Sequence, residues 1–370
     1  MSEIPSRLIT YCTNIHPGES WEEIFAALKR HIPIVKAAVS PGHGFPIGLR
    51  LSDRAARELT LENRRAFKAW LDEQECFVPT INGFPFGSFH RERIKKQVYL
   101  PDWRSRERAD YTICLANLLA DWLPDGMTGS ISTVPLGFKD IVVAANYPEI
   151  RKQLQSVLSL LRGIFEEHGK MLMLALEPEP GCLLETTREV CRFFDSLNLQ
   201  AGLMEHLGVC YDCCHQAVEF EDPADSLNLL VSAGIPIAKV QVSSAIQYHG
   251  ADVAQLMDLN EPCYLHQVVV LRREGDLLRY PDLPEALSGH TPDHGDEWRC
   301  HFHVPVFLSH TKWTGTTQGF LTGVLPMVPK NILLEVETYT WDVLPDDLRC
   351  GSVTDSIIRE IEWLKERLHA

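Results

Sequence analysis

The sequence predicts a (β/α)8 barrel, the TIM-barrel architecture, and three observations support this prediction. Short apolar runs alternate with Gly- and Pro-rich connections and amphipathic helices, a pattern typical of βα units on a parallel sheet. Eight such units are present if one long segment after the seventh strand is treated as an elaboration. The length of 370 residues is compatible with one domain, because barrels of this kind reach this size.

The first four units follow one another closely. The predicted strands cover 8–13, 45–52, 76–83 and 129–135, and the helices that follow them cover 20–31, 60–75, 103–123 and 147–168. Ser20 is a suitable N-cap for the first helix, because its hydroxyl can accept a hydrogen bond from the first turn. Glu22 and Glu23 in that turn suit the positive end of the helix dipole.

The last four units contain the elaboration. The predicted strands cover 171–181, 207–212, 238–245 and 331–338, and the predicted helices cover 186–196, 223–233 and 353–368. Residues 264–283 have the pattern of a hairpin, and 299–308 form a further strand-like run. We therefore expect residues 1–370 to form a single barrel domain, with 246–310 inserted at its catalytic face.

Composition and charge exclude several classes of partner. The formal net charge is −15, which opposes binding to nucleic acid, because such binding depends on Lys and Arg contacts with phosphates. No run approaches the roughly 18 apolar residues of a membrane span, so we expect no membrane insertion. The N-terminal residues lack the pattern of a signal peptide, and eleven cysteines without a regular framework are typical of reduced thiols. These features predict a cytoplasmic protein.

Four predicted strands end in polar side chains, and these indicate a metal site. The residues are Glu177, Asp212, Gln241 and Glu335. In a barrel the C-terminal strand ends meet at one face, where the active site lies. Carboxylate-rich sets suit Mg²⁺ or Mn²⁺, and added imidazole favours Zn²⁺ or Co²⁺. A cation would also offset the repulsion between the carboxylates.

Several histidines are further candidates for the mouth of the barrel. His215 follows Asp212 by three residues. His301 and His303 share one strand face by alternation, which places both either in the barrel mouth or on a solvated hairpin. His303 is a candidate further ligand that would compensate for the weak ligand Gln241. By contrast, His266, His290 and His294 are expected to be exposed loop residues.

Other residues are candidates for contact with the substrate. His16 follows the first strand on the catalytic side, and Asn82 ends the third strand. Glu337 shares a face with Glu335. These three residues, with His215 and His301, are the predicted substrate-binding set.

The cysteines around Asp212 allow two interpretations. A zinc-thiolate site needs further ligands at matching spacing, and the chain has no second C-x-x-C pair for Cys210, Cys213 and Cys214. We interpret these three thiols as inert packing residues.

The strand-end pattern resembles the xylose isomerase-like barrels: sugar isomerases, ketose 3-epimerases, inosose dehydratases and isomerases, and the endonuclease IV branch. The matching residues are Glu177, Asp212 with His215, Gln241 and Glu335. The stretches TYCTNIHPGESW, NGFPFGSFH, VYLPDW, LEPEPGC and HFHVPVF are most similar to the Ebo-type metabolite-traffic proteins. That resemblance implies a role in processing or traffic of secondary-metabolite precursors.

The resemblance implies a metal-dependent isomerase or epimerase of a small sugar-like, polyol or cyclitol substrate. A divalent metal (Mn, Mg, Zn or Co) would bind two substrate oxygens, with Glu177 and Glu335 as general acid and base and His215 on a hydroxyl. Gln241 departs from the family, which usually has histidine there. This departure favours the alternative of a non-catalytic metabolite-binding barrel in an export system, and a remote alternative is an endonuclease IV-like enzyme. The oligomeric state stays open, a homo-oligomer included.

Overall fold

The computed structural model describes residue 5 and residues 7–90, 93–250, 252–349 and 351–369. The strands in this part of the chain are β1 (Ile9–Tyr11), β2 (Phe45–Arg50), β3 (Cys76–Asn82), β4 (Thr128–Thr133), β5 (Met171–Leu176), β6 (Leu207–Asp212), β7 (Ile237–Val242), β8 (Ser244–His249), β9 (Val268–Leu271), β10 (Leu277–Tyr280), β11 (Glu297–Val304), β12 (Gly315–Thr316) and β13 (Leu333–Val336). The α-helices are α1 (Trp21–Val39), α2 (Asp53–Glu58), α3 (Leu61–Glu73), α4 (Arg106–Trp122), α5 (Tyr147–His168), α6 (Thr187–Leu197), α7 (Ala201–Met204), α8 (Cys213–Val218), α9 (Pro223–Ser232), α10 (Leu283–Gly289), α11 (Gln318–Val324) and α12 (Val353–His369).

Eight parallel strands form the barrel, in the order β1-β13-β7-β6-β5-β4-β3-β2. An isolated parallel bridge between Cys12 and Gly48 links the two end strands. Beside it, the Thr10 hydroxyl donates to the Pro46 carbonyl at 2.6 Å and accepts from the Gly48 N–H at 3.2 Å. The predicted (β/α)8 barrel is confirmed, and its strands end at one face, where side chains from different units can meet.

A second, antiparallel sheet lies between β7 and β13 in the chain, in the order β10-β9-β11-β8-β12. The predicted hairpin in 264–283 is formed by β9 and β10. Two contacts attach this sheet to α8, which follows β6. Arg279 pairs with Glu219 at 2.7 Å, and Arg299 Nη1 donates to the Ala217 carbonyl at 2.6 Å. The second sheet is therefore held over the C-terminal end of β6.

The first helix begins as the sequence predicts but ends later. The Ser20 hydroxyl accepts from the Glu23 N–H, and the Glu23 carboxylate accepts from the Ser20 N–H, which forms a capping box. The predicted end at residue 31 is wrong, because α1 passes through Pro33 to Val39. Its buried apolar stripe continues over that length and offsets the hydrogen bond that Pro33 cannot donate. Within the described residues, no helix has both the length and the apolar character of a membrane span.

The predicted seventh strand divides between the two sheets. A single strand over 238–245 was expected, but β7 ends at Val242 and β8 begins at Ser244. The Ser243 side chain explains the break, because it accepts from the Cys214 N–H at 2.9 Å and donates to Asp212 Oδ1 at 2.6 Å. This residue turns the chain at the barrel mouth, so the prediction of one continuous strand is wrong.

Candidate active site

A pocket with about 520 Å³ of empty space lies at the C-terminal face of the barrel, between the strand ends and the second sheet. This volume is within the range of small-molecule sites. Five residues that the sequence singles out line it: Asn82, Glu177, His215, His301 and Glu337. Asp212, Gln241, His303 and Glu335 are fully buried and do not line the pocket.

Three carboxylates converge at the pocket. Oxygen atoms of Glu177, Asp212 and Glu337 all lie within 4.8 Å of one another. Glu177 Oε2 and Asp212 Oδ2 are buried and have no hydrogen-bond partner among the described residues. Glu337 Oε1 accepts from the side-chain amides of Asn14 at 2.7 Å and Asn82 at 3.2 Å. The carboxylates are thus held in place while two of their oxygens stay available.

The close approach of these groups shifts their pKa values. Burial, together with the nearby Asp212, raises the pKa of Glu177 to about 8. Burial and repulsion from Glu177 and Asp212 raise the pKa of Glu337 well above its ordinary value. Burial opposes ionisation of Asp212, but His215, His303 and the Ser243 hydrogen bond outweigh it, so its pKa is lowered. Without a cation, the three carboxylates therefore resist simultaneous ionisation.

Glu335 lies two residues before Glu337 and has a different environment. Its Oε2 forms an ion pair with Lys239 on the neighbouring strand, and both side chains are completely buried. Burial opposes the charge on Lys239, but Glu335 outweighs this effect and raises the pKa of the ammonium group. The structure therefore does not bring Glu335 into the group of three carboxylates, and Glu337 takes that position.

Gln241 lies beside this group with both amide atoms buried and without a hydrogen-bond partner in the described chain. The strand register places it next to Asp212 on one side and Glu335 on the other. Unpaired buried polar atoms are costly, so their concentration here indicates a bound polar species. The atoms that could bind such a species are mainly oxygens, which fit a hard divalent cation. The residues that would hold it are Glu177, Asp212, Glu337 and Gln241, the last through its side-chain oxygen.

Three histidines adjoin the carboxylates and meet at their Nε2 atoms. His301 Nε2 lies 3.1 Å from His215 Nε2 and 3.2 Å from His303 Nε2. Burial, with the neighbouring imidazoles, lowers the pKa of His301 well below its ordinary value. Burial also lowers the pKa of His303 to about 4. Burial opposes protonation of His215, but the attraction of Asp212 and Glu179 for the imidazolium outweighs this effect, so the pKa of His215 is raised.

Several residues of the site carry no clear signal in the sequence. Tyr99 OH donates to Glu179 Oε1 at 2.7 Å, and Gln267 Nε2 donates to the same oxygen at 3.2 Å. Period-two alternation from Glu177 could have identified Glu179, which is two residues further along. Tyr99 and Gln267 come from distant loops, and nothing in their local sequence predicts this contact.

Other histidines lie away from their expected positions. His16 does not line the pocket: its Nε2 contacts the Tyr11 hydroxyl at 3.0 Å, and its ring stacks on His31 at 4.1 Å beside a neighbouring cleft. The prediction that His266 is exposed is wrong, because it is fully buried. Its Nδ1 contacts the His301 carbonyl and its Nε2 contacts Glu261, both at 2.9 Å.

The other two histidines that were predicted to be exposed differ from each other. The His290 side chain is only 8% exposed, because its Nε2 contacts Asp296 Oδ2 at 2.7 Å, so this prediction is wrong. His294 is exposed, as predicted.

The cysteines around Asp212 are buried free thiols. Cys210, Cys213 and Cys214 are fully buried, and burial raises the pKa of each thiol well above its ordinary value. Neutral thiols in these positions are consistent with packing residues. Cys214 Sγ also lies within 4.8 Å of nitrogen atoms of His301 and His303.

No protein-family model and no curated protein match this chain. Solved structures with the same fold do match it. A D-allulose 3-epimerase from Methylomonas sp. has a TM-score of 0.55 at 10% identity, covering 99% of this chain and 100% of that one. A xylose isomerase-like TIM barrel protein from Mycobacterium smegmatis in complex with magnesium has a TM-score of 0.53 at 9% identity, covering 100% and 98%. The IOLI protein with a binding zinc atom has a TM-score of 0.52 at 12% identity, covering 98% of both chains. The chain therefore has a xylose isomerase-like TIM-barrel fold.

Proposed function

We propose that this xylose isomerase-like barrel is a divalent-metal-dependent isomerase or epimerase of a small sugar-like, polyol or cyclitol substrate. The observation that carries the proposal is the convergence of Glu177, Asp212 and Glu337 from three barrel strands at a pocket of small-molecule size. The proposal has support from proteins of the same fold, which include a D-allulose 3-epimerase and structures with zinc or magnesium.

A divalent metal bound by Glu177, Asp212 and Glu337, with the Gln241 oxygen, would supply Lewis-acid polarisation of substrate oxygens. Glu177 and Glu337 reach the pocket from β5 and β13, and we assign to them the removal and return of a proton at the carbon next to a carbonyl. Asn14 and Asn82 orient Glu337 for this role, because both donate to its Oε1.

The assignment differs from the sequence expectation for Glu335. The sequence suggests Glu177 and Glu335 as the catalytic pair, but Glu335 Oε2 is engaged by Lys239. A carboxylate in a buried ion pair is less available for proton transfer, so we assign Glu335 to the support of the site. Glu337 lies two residues further toward the strand end and lines the pocket.

The charge and shape of the pocket favour a neutral, hydroxyl-rich substrate. Lys95 lines the pocket, but its ammonium group is paired with Asp282 at 2.6 Å. Tyr99, Tyr264 and Tyr339 also line the pocket, and they supply aromatic surface on which the apolar face of a sugar-like ring can pack. The carboxylates oppose a phosphate backbone, which argues against the endonuclease IV-like alternative.

We extend the proposal to the organisation of the chain. Residues 1–370 would form one barrel domain, with 246–310 as an insertion that closes the catalytic face. Support comes from His301 and Tyr264, which line the pocket from within that segment. The Ebo-type resemblance adds the proposal that the protein acts in the cytoplasm on precursors of secondary metabolites.

A second candidate function is a non-catalytic metabolite-binding barrel of an export system. The neutral side chain of Gln241 and the Lys239–Glu335 ion pair favour it, because both reduce the negative charge available to a metal. Both candidates use the same pocket, and they differ only in whether a carbon-bound proton is exchanged.

Proton exchange with solvent provides the test. The protein would be loaded with Mn²⁺, Mg²⁺, Zn²⁺ or Co²⁺ and incubated in D₂O with a panel of ketoses and keto-cyclitols, and deuterium at carbon would be followed by NMR. We expect exchange with at least one compound, and loss of at least about 100-fold in Glu177→Gln and Glu337→Gln, because acid–base groups contribute about 10²–10⁴-fold. Glu62→Gln, an exposed residue of α3, is the matched control and should keep full exchange.

Two results would reject the enzyme proposal. Metal-loaded protein that binds a panel compound but never exchanges its proton would favour the binding barrel. Exchange that survives unchanged in both Glu177→Gln and Glu337→Gln would remove these residues from the chemistry.

A further inference from the structure

Part of the pocket lining has no use in the proposed chemistry. It includes the wholly apolar side chains of Phe84, Phe89, Ile94, Val98 and Leu265. A free sugar carries hydroxyl groups around its whole edge, and each of them needs a hydrogen-bond partner when it leaves water. Apolar side chains cannot supply such partners. The lining therefore indicates a ligand with an apolar part of its own.

Three aromatic rings form the centre of this apolar region. The ring centroids of Phe89, Tyr264 and Tyr339 lie 5.1–5.3 Å from one another, as in favourable aromatic pairs. Phe89, Ile94 and Tyr264 form a buried cluster that is separate, in the described chain, from the main barrel core. Val98 and Tyr339 pack against this cluster. We refer to these five residues as the apolar wall.

The hydroxyl group of Tyr264 is used within the protein. His90 Nε2 lies 2.7 Å from the Asn14 carbonyl oxygen, which can only accept, so this nitrogen carries a proton. In the neutral imidazole, His90 Nδ1 then has no proton, and it accepts from the Tyr264 hydroxyl at 3.0 Å. The hydroxyl proton of Tyr264 is therefore not available to a ligand, and the ring is what the residue offers to the pocket.

The polar groups beside Ile94 are also engaged by the protein. The Lys95 ammonium group donates to Asp282 Oδ2 at 2.6 Å and to the Glu261 carbonyl at 3.3 Å. The backbone N–H groups of Ile94 and Lys95 both donate to the Cys263 carbonyl at 3.1 Å. Ligand hydroxyls placed against the apolar wall would therefore lose their bonds to water, whereas an apolar group would gain affinity by leaving water.

The apolar wall begins directly beside the carboxylates. Tyr339 follows Glu337 by two residues, and both line the pocket. Asn14 connects the two regions, because its side-chain amide donates to Glu337 Oε1 and its carbonyl accepts from His90, the partner of Tyr264. A ligand whose carbonyl lies at Glu337 can therefore reach the wall with a group attached to the same molecule.

We propose that the substrate is amphipathic: a hydroxyl-rich keto-polyol head binds at the carboxylates, and an uncharged aromatic substituent packs against the apolar wall. Aromatic groups suit this wall because they form offset and edge-to-face contacts with its rings. The inference rests on the proposed function for the position of the head. Affinity for the substituent does not depend on proton transfer, so it can be measured without turnover.

Calorimetric titration of the Mn²⁺-loaded protein tests the proposal. Each ketohexose of a panel would be titrated as the free sugar, as its 6-O-benzyl ether and as its 6-O-glucoside, which carries a polar ring of similar size. For at least one ketohexose, we expect the benzyl ether to bind at least about tenfold more tightly than the free sugar, because small changes in apolar contact alter recognition by about 10–200-fold. The glucoside should bind no more tightly than the free sugar.

A pair of matched variants locates the substituent. Val98→Thr places a hydroxyl group in the apolar wall at almost unchanged side-chain volume, and it should reduce the preference for the benzyl ether at least about threefold. Val231→Thr is the control and should keep the wild-type preference, because Val231 lies on α9 and is 73% exposed. If Val98→Thr does not fold, the comparison of ligands on the wild type decides alone.

The outcomes separate this inference from the proposed function. Benzyl ethers that bind no more tightly than the free sugars, or that do not bind at all, would overturn the inference, and deuterium exchange into a free sugar would still support the enzyme. A glucoside that gains as much affinity as the benzyl ether, or a preference unchanged in folded Val98→Thr, would also overturn it. Tight binding of a benzyl ether without deuterium exchange would support the inference and reject the enzyme in favour of the binding barrel.

Discussion

The buried Lys239–Glu335 ion pair provides a direct test of how the site is organised. Two interpretations of Glu335 compete: a metal ligand, as the strand-end pattern suggests, or the partner of Lys239, as its contact indicates. Four variants separate them: Lys239→Met, Glu335→Leu, Glu335→Gln and the double variant Lys239→Met/Glu335→Leu. The double variant replaces both charges with apolar side chains of similar volume.

The magnitude follows from the burial of the pair. Both side chains are 0% exposed, and Glu335 Oε1 has no hydrogen-bond partner in the described chain that could replace the ammonium group. Removal of one member of such a pair leaves an uncompensated buried charge and costs about 3–5 kcal/mol. Replacement of both members by apolar groups is often neutral, so the double variant should lie within about 1 kcal/mol of the wild type.

Urea unfolding at pH 7 in the presence of a chelator measures these free energies. We expect each single variant to lose about 3–5 kcal/mol and the cycle of Lys239→Met with Glu335→Leu to give a coupling energy of at least about 5 kcal/mol. Mn²⁺ uptake at 1:1 loading would then be compared between Glu335→Gln and Glu337→Gln. The first should retain the metal and the second should lose it.

The opposite pattern would refute this reasoning. If Glu335→Gln costs less than about 1 kcal/mol in the chelated protein and abolishes metal uptake, Glu335 is a metal ligand and the ion pair is weak. Under that result, the assignment of Glu337 to the metal would also have to be withdrawn.

Two further predictions concern stability. Gly48→Ala would place a Cβ atom 1.8 Å from Glu335 Oε1 and 2.7 Å from the Tyr11 carbonyl oxygen. We therefore expect the free energy of unfolding, measured by thermal unfolding, to fall by about 3 kcal/mol. Gly87→Ala is the control and should lose little stability, because the space around Gly87 is open. Burial raises the pKa of Glu360 from 4.5 to about 7, so its contribution to stability is complete below pH 4.5 and is lost as the pH rises through 7. Glu360→Gln should remove about 3 kcal/mol of this pH dependence, and identical pH profiles of stability for wild type and variant would contradict the assignment.

The fold and the position of the site follow from local patterns in the sequence. Eight apolar runs of strand length separated by amphipathic helices are sufficient to indicate the barrel, because each unit has to bury one face against its neighbours. Because the strands are parallel and Glu177 and Asp212 each lie at the C-terminal end of a strand, both are at the same end of the barrel. The hairpin and the segment after the seventh strand also follow from turn residues and strand-like composition.

How deep a side chain lies within the barrel cannot be predicted from such patterns. Glu335 and Glu337 share a face, so alternation alone cannot distinguish them. The choice depends on how β13 pairs with β7, which places Lys239 beside Glu335 and leaves Glu337 at the pocket. The missed break at Ser243 has a similar origin, because its hydrogen bond to Asp212 is a contact between strands.

The sequence by itself determined the architecture, the end of the barrel where the pocket lies and five of the residues that line it, because these depend on periodicities of a few residues. Only the tertiary structure decided which carboxylates meet, that Glu335 is paired with Lys239, and that His215 meets His301 and His303. The His215–His301 contact joins residues 86 positions apart, and the Lys239–Glu335 pair joins residues 96 positions apart. Strand register and the placement of the second sheet set them, and the packing of the whole chain controls both.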